Sequence, residues 1–461
     1  MSDIIQNIKY KSDIKLILAL AIPAVMQTVV RSSFVIIDAY WIGKLGSLQL
    51  AALSVATFIV WGGLALGEMI STGANSLVAQ AVGSQNKELA KEIAVTSIVN
   101  NFFYSLLLGL LLIPVFPLLY AIMGLTPEQS EYANMYLVPL FAGLFCITLL
   151  STVTSIFRGY GDTKTPFYLL ILALVITVFL TPILVLGING YFRFEIKGAA
   201  YAALFSYFAA SLLGYFILVR RGLTHSVFKY KINKSILTET FKIGYPISLN
   251  GVAFSMIYVF VAKFIADYGT SALAAMGICH RSESIAYQIT LGFSLAATVL
   301  VGQNIGAGNP ERAEKLSWKI FGICGTVILA YMFGLFFFSS QVAEFFTSDK
   351  SVVSIASDFN KITALILIFS VAEVVLSGAF SGAGDTLPPA IVSLPVNLLR
   401  IPFAALFSPL LGLNGIWIGI CATVILKGMI ILFWFRRGKW KTKKSKLIKS
   451  PPNILILTEV E

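Results

Sequence analysis

Runs of about 18 or more apolar residues recur along nearly the whole of this chain, each long enough to cross a hydrocarbon core of about 30 Å as a helix. Twelve such runs lie near 14–40, 50–78, 92–119, 132–156, 166–188, 197–219, 239–265, 272–302, 315–339, 360–381, 389–411 and 414–435. They are solid apolar blocks that carry Gly and Pro, whereas a membrane β-barrel would show alternating segments of about ten residues. With 57% hydrophobic and only 12% charged residues in 461, the chain predicts an all-α polytopic membrane protein. The first run holds Pro23, Arg31 and Asp38 and no small-residue cleavage site. It is expected to remain as a permanent helix rather than be removed as a signal peptide.

The net charge is +12, and its distribution sets the expected topology, because Lys and Arg in short loops hold those loops in the cytoplasm. One side collects Lys9, Lys11 and Lys15, then Lys87 and Lys91, Arg158 and Lys164, and the group Arg220, Arg221, Lys229, Lys231 and Lys234. Farther on it collects Arg312, Lys315 and Lys319, and the tail from Arg436 to Lys449 is also rich in Lys and Arg. The other side shows Glu128 and Glu131, then Glu344, Asp349 and Asp358. Both termini are therefore expected in the cytoplasm of a multi-pass protein of the inner (plasma) membrane. A basic tail beside a last transmembrane helix serves topology and anionic-lipid contact, so no nucleic-acid partner is expected. Cys146, Cys279, Cys324 and Cys421 lie singly in apolar runs, without the paired spacing of a zinc or redox site.

Sliding the chain along itself by 223 residues brings separate pieces into register. FRGYGDTKTP, from Phe157 to Pro166, falls on FSGAGDTLPP, from Phe380 to Pro389. Pro23 falls on Pro246, Gly46 on Gly269, and Gln80, Gly83 and Asn86 on Gln303, Gly306 and Asn309. Six helices per half make an even number, so the halves enter the membrane in the same orientation, as parallel repeats. The expected organisation is an N-lobe at 1–221, a cytoplasmic linker at 222–238, a C-lobe at 239–435 and a basic tail at 436–461. Such a duplication forms a V-shaped cleft between two bundles, a geometry suited to alternating access. In the repeated GDT turns, Gly permits a tight turn, Asp caps the next helix and Pro begins it.

DAYWIGKLGSLQLAAL (Asp38 to Leu53), VAQAVGSQN (Val78 to Asn86), VGQNIGAGN (Val301 to Asn309) and the two GDT segments together resemble the multidrug and toxic compound extrusion (MATE) transporters over essentially the whole chain. The resemblance implies export of amphipathic, often cationic compounds driven by a sodium or proton gradient. It also implies coupling at the acidic residue of the first helix, here Asp38. One branch of the family has an Asp before a Pro on the fifth helix, with an Asn one turn earlier, where this chain has Thr181 and Thr177. Another branch has acidic residues on the seventh and tenth helices, where this chain has Phe254 and Ser370, with Glu373 one turn beyond the latter.

An ionised group at the centre of a membrane helix costs at least about 2.5–3.5 kcal/mol, so each faces an aqueous cavity, finds a partner or becomes neutral. Asp38, Arg31 and Gln27 recur on nearly one face of the first helix. Asp38 is either a structural cap or a carboxylate that takes a proton or a cation, sodium being the metal it would hold. An apolar cavity disfavours the ionised form and a bound cation favours it, so cargo and coupling ion would exclude each other there. Glu68 is followed by Ser71, Thr72 and Asn75 and is either cavity wall or structural hydrogen bonding. His280, Arg281 and Glu283 read first as an interhelical ion network in the C-lobe, with His280 a candidate proton carrier. Glu373 is a candidate replacement for the missing acidic residue of the tenth helix. Arg400, Lys263 and Lys427 read as ion-pair or snorkelling residues. Tyr40, Trp41 and Trp61 offer π faces to cations, or are ordinary interfacial aromatics.

The sequence thus points to secondary active efflux of amphipathic organic cations in exchange for H+ or Na+, by a monomer without a cofactor. The alternative is a two-lobed flippase for lipid-linked precursors, which requires a cationic cavity. A membrane enzyme would need a metal or nucleophile motif, and neither H-E-x-x-H nor Walker A occurs. A channel would need symmetric pore loops.

Overall fold

The computed structural model describes residues 12–187, 191, 193–229 and 233–448. Lys9, Lys11, Lys231, Lys449 and the side chain of Lys263 lie outside that description. The first half runs through α1 (Asp13–Gly43), then α2 (Ser47–Gly67) and α3 (Met69–Gly83), which form one span interrupted at Glu68. A third span joins α4 (Lys87–Leu112) through a short 3-10 turn to α5 (Phe116–Met123), and the fourth is α6 (Pro127–Ala142) bent by 50° into α7 (Leu144–Gly159). The half closes with α8 (Lys164–Leu186) and α9 (Ile196–Arg220). The second half comprises α10 (Lys234–Ala266), α11 (Thr270–Gly306), α12 (Pro310–Phe337) and the short α13 (Ser339–Glu344). It continues with α14 (Lys350–Ala364) bent by 55° into α15 (Leu367–Ala383), then α16 (Leu387–Leu398), α17 (Arg400–Leu411) and α18 (Leu413–Arg436).

Among the described residues, nine helical stretches are long and apolar enough to cross a membrane, and the two bent pairs make eleven. The 33-residue α10 fills the twelfth place. The bends were not legible as such, because the apolar runs at 132–156 and 360–381 continue through them. The backbone turns at Gly143 and at Leu365 and Ile366, between the helices of each pair.

The offset of 223 reappears in the backbone. Ser47–Gly83 maps onto Thr270–Gly306 end for end. Asn86 caps its helix by accepting from the Leu89 N–H at 3.0 Å, and Asn309 does the same with Arg312 at 3.0 Å, satisfying donors that a helix start leaves open. Gly161 and Gly384 both take positive φ, 86° and 79°, the left-handed turn that favours glycine. Asp162 accepts from the N–H groups of Lys164 and Thr165 at 3.0 and 2.9 Å, so its cap forms as the sequence predicts. Pro166 enters at the third helical position rather than the first.

Each half builds its own apolar core, but their first helices are shared. Leu16, Ile17, Leu20 and Ala21 of α1 pack into a cluster with α11, α12 and α15, whereas Val30, Phe34 and Ile42 belong to the N-terminal core. In mirror fashion, Ile236 and Ile243 of α10 join the N-terminal core and Ile257, Val261 and Ile265 the C-terminal one. The two lobes also meet where α3 crosses α11. Gln80 Nε2 donates to the Gly382 carbonyl at 2.9 Å, and its repeat mate Gln303 donates to the Gly159 carbonyl at 3.0 Å. A Cβ on Gly83 would strike the Gln303 carbonyl, and one on Gly306 the Gln80 carbonyl. These contacts form a two-fold latch at the end of the bundle that carries the GDT turns. Towards the other end α1 and α10 rejoin their own lobes, which leaves a cleft between them.

Candidate functional site

The polar residues of the first helix line up along the N-lobe side of this cleft. Asp38 is 6% exposed, the one carboxylate in the buried set among the described residues. Its Oδ2 accepts from the Tyr136 hydroxyl of α6 at 2.9 Å, and its Oδ1 has no hydrogen-bond partner. Tyr207 of α9, whose ring sits 4.8 Å from that of Phe34, lies within electrostatic reach of Asp38, Arg31 and Glu68. Thr177 and Thr181 of α8 are fully buried. The Thr177 hydroxyl bonds back to the Ala173 carbonyl at 3.0 Å, while Thr181 Oγ1 is unpartnered.

Two turns before Asp38, Arg31 pairs with Glu68, and Ser151 donates to the same Glu68 oxygen at 3.0 Å. Glu68 sits at the break between α2 and α3, and its side chain is 27% exposed. Lower still, Gln27 donates to the Thr163 carbonyl at 2.8 Å and accepts from Arg158 at 3.2 Å. Arg158 also donates to Ser155 at 2.6 Å and lies within reach of Glu68. Sequence reasoning counted Arg158 among the loop charges; it lies in the last turn of α7, and its side chain folds back into the lobe instead.

The C-lobe candidates do not gather into one cluster. His280 Nδ1 lies 3.3 Å from Glu283 Oε2, a pair within α11, and Arg281 points over the Phe346 ring at 5.6 Å. The expected interhelical network is therefore replaced, for Glu283, by a partner on its own helix, because residues three apart share a helix face. Glu373 instead meets Lys427 of α18 at 2.8 Å and Ser393 of α16 at 3.4 Å. The snorkelling alternative for Lys427 falls, since its side chain is only 4% exposed. Arg400 is buried, donates to Thr423 at 3.1 Å and stacks over Phe254 at 5.4 Å. Tyr287 of α11 lies within electrostatic reach of both Glu68 and Glu373, between the two lobes. Tyr40 takes Lys44 over its ring at 5.3 Å, and Trp61 is exposed beside Phe58.

Sequence reasoning missed Tyr136, Ser151 and Arg158 as partners. Tyr136 is one of 18 tyrosines and lies 98 residues from Asp38, so nothing local marks it.

The family model MatE matches residues 23–183 and again 246–406, two segments that differ by the same 223 residues. The probable multidrug resistance protein NorM of Thermotoga maritima is 27% identical over 446 residues, covering 93% of each chain. The FAD transporter of Shewanella oneidensis is 26% identical, covering 92% of this chain and 94% of its own length. Among solved structures, a MATE protein in its straight conformation superposes with a TM-score of 0.86 at 25% identity, over 95% of this chain and 98% of that one. A MOP superfamily transporter from Pyrococcus furiosus, described as having a reversed polarity of its binding pocket, superposes with 0.85 at 25% identity over the same shares. A multi-pass membrane chain with this duplicated twelve-helix architecture, matched twice by one family model, belongs to the MATE family of transporters.

Proposed function

We propose that this protein is a secondary active exporter of amphipathic small molecules, organic cations foremost, in exchange for H+ or Na+. The two lobes rock about the latch so that the cleft opens alternately to each side of the plasma membrane. The latch end, which carries most of the basic loops, is the cytoplasmic one, and the protein works as a monomer in contact with membrane lipid.

One observation carries the coupling role. Asp38 is a deeply buried carboxylate with no cationic partner, one oxygen held by Tyr136 and the other unsatisfied. A carboxylate in that position is stable when it holds a proton or a cation, and exchange between the two gives antiport. Sodium would find hard oxygen donors at Asp38, and a proton needs only the open Oδ1. Two further carboxylates within the spans, Glu68 and Glu373, are already paired with Arg31 and Lys427. A flippase for lipid-linked precursors draws support from Arg158, whose direct hydrogen-bond partners are the neutral Gln27 and Ser155.

The test is uptake of ethidium into proteoliposomes under an imposed proton gradient and then a sodium gradient. We expect one gradient to drive uptake, and Asp38→Asn to reduce it to the protein-free level while the variant remains monodisperse. Full transport by Asp38→Asn would remove the carboxylate from the mechanism, and uptake under neither gradient would favour the flippase.

A further inference from the structure

Beyond the last transmembrane helix the chain does not leave the protein. Gly438, at φ 70°, turns it back under the bundle. Trp440 is fully buried, stacks on Phe435 at 4.7 Å and donates its indole N–H to the Phe435 carbonyl at 3.0 Å. Lys441 pairs with Glu314 of α12 at 2.5 Å. This part is fixed to the C-lobe.

A few residues later the same segment reaches the latch. The Ser445 N–H donates to Gln80 Oε1 at 3.0 Å, and the Ser445 hydroxyl donates to Glu239 of α10 at 2.9 Å. Gln80 is thus held at both ends, since its Nε2 already binds Gly382 across the lobe boundary. Ile448, 4% exposed, is then buried in the N-lobe core, with Leu447 against it. Residues 439–448 therefore begin on one lobe, pass through the latch and end in the other.

We propose that residues 439–448 are a clasp that holds the latch end closed and must release before the cleft can open on that side. The geometry leaves little choice: Trp440 moves with one lobe and Ile448 with the other, so separating the lobes breaks one of the two anchorages. The N-lobe side gives way first, because it rests on Ile448 with Leu447 against it and the Ser445–Gln80 bond, whereas the C-lobe side holds a stacked, hydrogen-bonded Trp and an ion pair. The latch itself is two-fold, but the clasp engages Gln80 alone, so it makes the two halves of a symmetric joint unequal. The proposal rests on the alternating-access mechanism above.

The experiment places spin labels at the repeat-related positions Ser84→Cys and Ala307→Cys and measures their distance distribution in the full chain, in Ser445→Pro, and in a chain ending at Gly438. Ser445→Pro removes both the N–H that holds Gln80 and the hydroxyl that holds Glu239, and Ser445→Ala, which loses only the hydroxyl, is the control that isolates the N–H. Loss of the hydroxyl bond alone in Ser445→Ala should raise the open-to-closed ratio by no more than about fivefold, Ser445→Pro should raise it further, and truncation most. An unchanged distribution in monodisperse truncated protein overturns the clasp. If the distribution then still responds to ethidium, the transport mechanism stands and only the clasp falls; if it responds to nothing, the rocking mechanism falls with it. Should the truncated chain aggregate, Ser445→Pro decides alone.

Discussion

At the scale of single residues, the membrane-buried charges show how much a partner matters. Lys427 and Glu373 face each other with side chains only 4% and 16% exposed, and removing one member of such a pair leaves an uncompensated charge. Lys427→Met or Glu373→Gln alone should each cost about 3–5 kcal/mol, and the double variant far less. Thermal unfolding in detergent checks this; a loss in the double variant equal to the sum of the two single losses would show that the pair itself contributes nothing. Asp385, in the turn beneath the clasp, tests the opposite situation. Burial pushes its carboxyl above the ordinary carboxylate value, with Lys443 working against the shift. The native protein then keeps its proton at pH values where the unfolded chain has lost it, so stability falls as pH rises from the unfolded value through the folded one. Asp385→Asn should flatten that slope and raise Tm at neutral pH by about 1–2 °C, a modest gain because the group is only partly buried. A melting series from pH 4 to 7 decides the sign.

At the scale of elements, the crossing of α3 and α11 depends on two glycines whose missing side chains let a helix approach the opposite backbone. Gly83→Ala and Gly306→Ala each push a methyl against a carbonyl of the partner helix, an overpacking worth about 1–3 kcal/mol. Both should shift the Ser84/Ala307 label distances to longer values, and by similar amounts, because the joint is two-fold. Gly62→Ala, which meets open space, is the control. Unequal shifts would mean that the latch is asymmetric before the clasp is considered. Pro23 and Pro246 occupy matching places on α1 and α10, between the turns that pack on the opposite lobe and those that pack on their own.

At the scale of the whole molecule, the parts that depend on chain order were legible and those that depend on crossing were not. Apolar runs gave the helix count, and the 223-residue offset gave the duplication, because both are periodic along the sequence. The offset also marked Gln80 and Gln303, and Gly83 and Gly306, as repeat mates, but not that they would meet across the lobe boundary. Asp38, Arg31, Glu68 and Glu373 were found because a charge within an apolar run is conspicuous. Tyr136, Ser151 and Arg158, which complete their surroundings, are ordinary residues brought in from 83 to 131 positions away. In the C-lobe cluster the expectation of partners beyond the helix fits Arg281, which lies over Phe346, while His280 and Glu283 pair within α11.

The exchange of first helices between lobes has a consequence for how the chain is made. Leu16, Ile17, Leu20 and Ala21 leave the ribosome well before their packing partners, which extend to Val375. At synthesis rates of about 5–20 residues per second, that half of α1 waits on the order of tens of seconds for the surface it will cover. During that interval its apolar flank must be shielded by lipid or by the insertion machinery, so α1 enters the membrane long before it finds its final place.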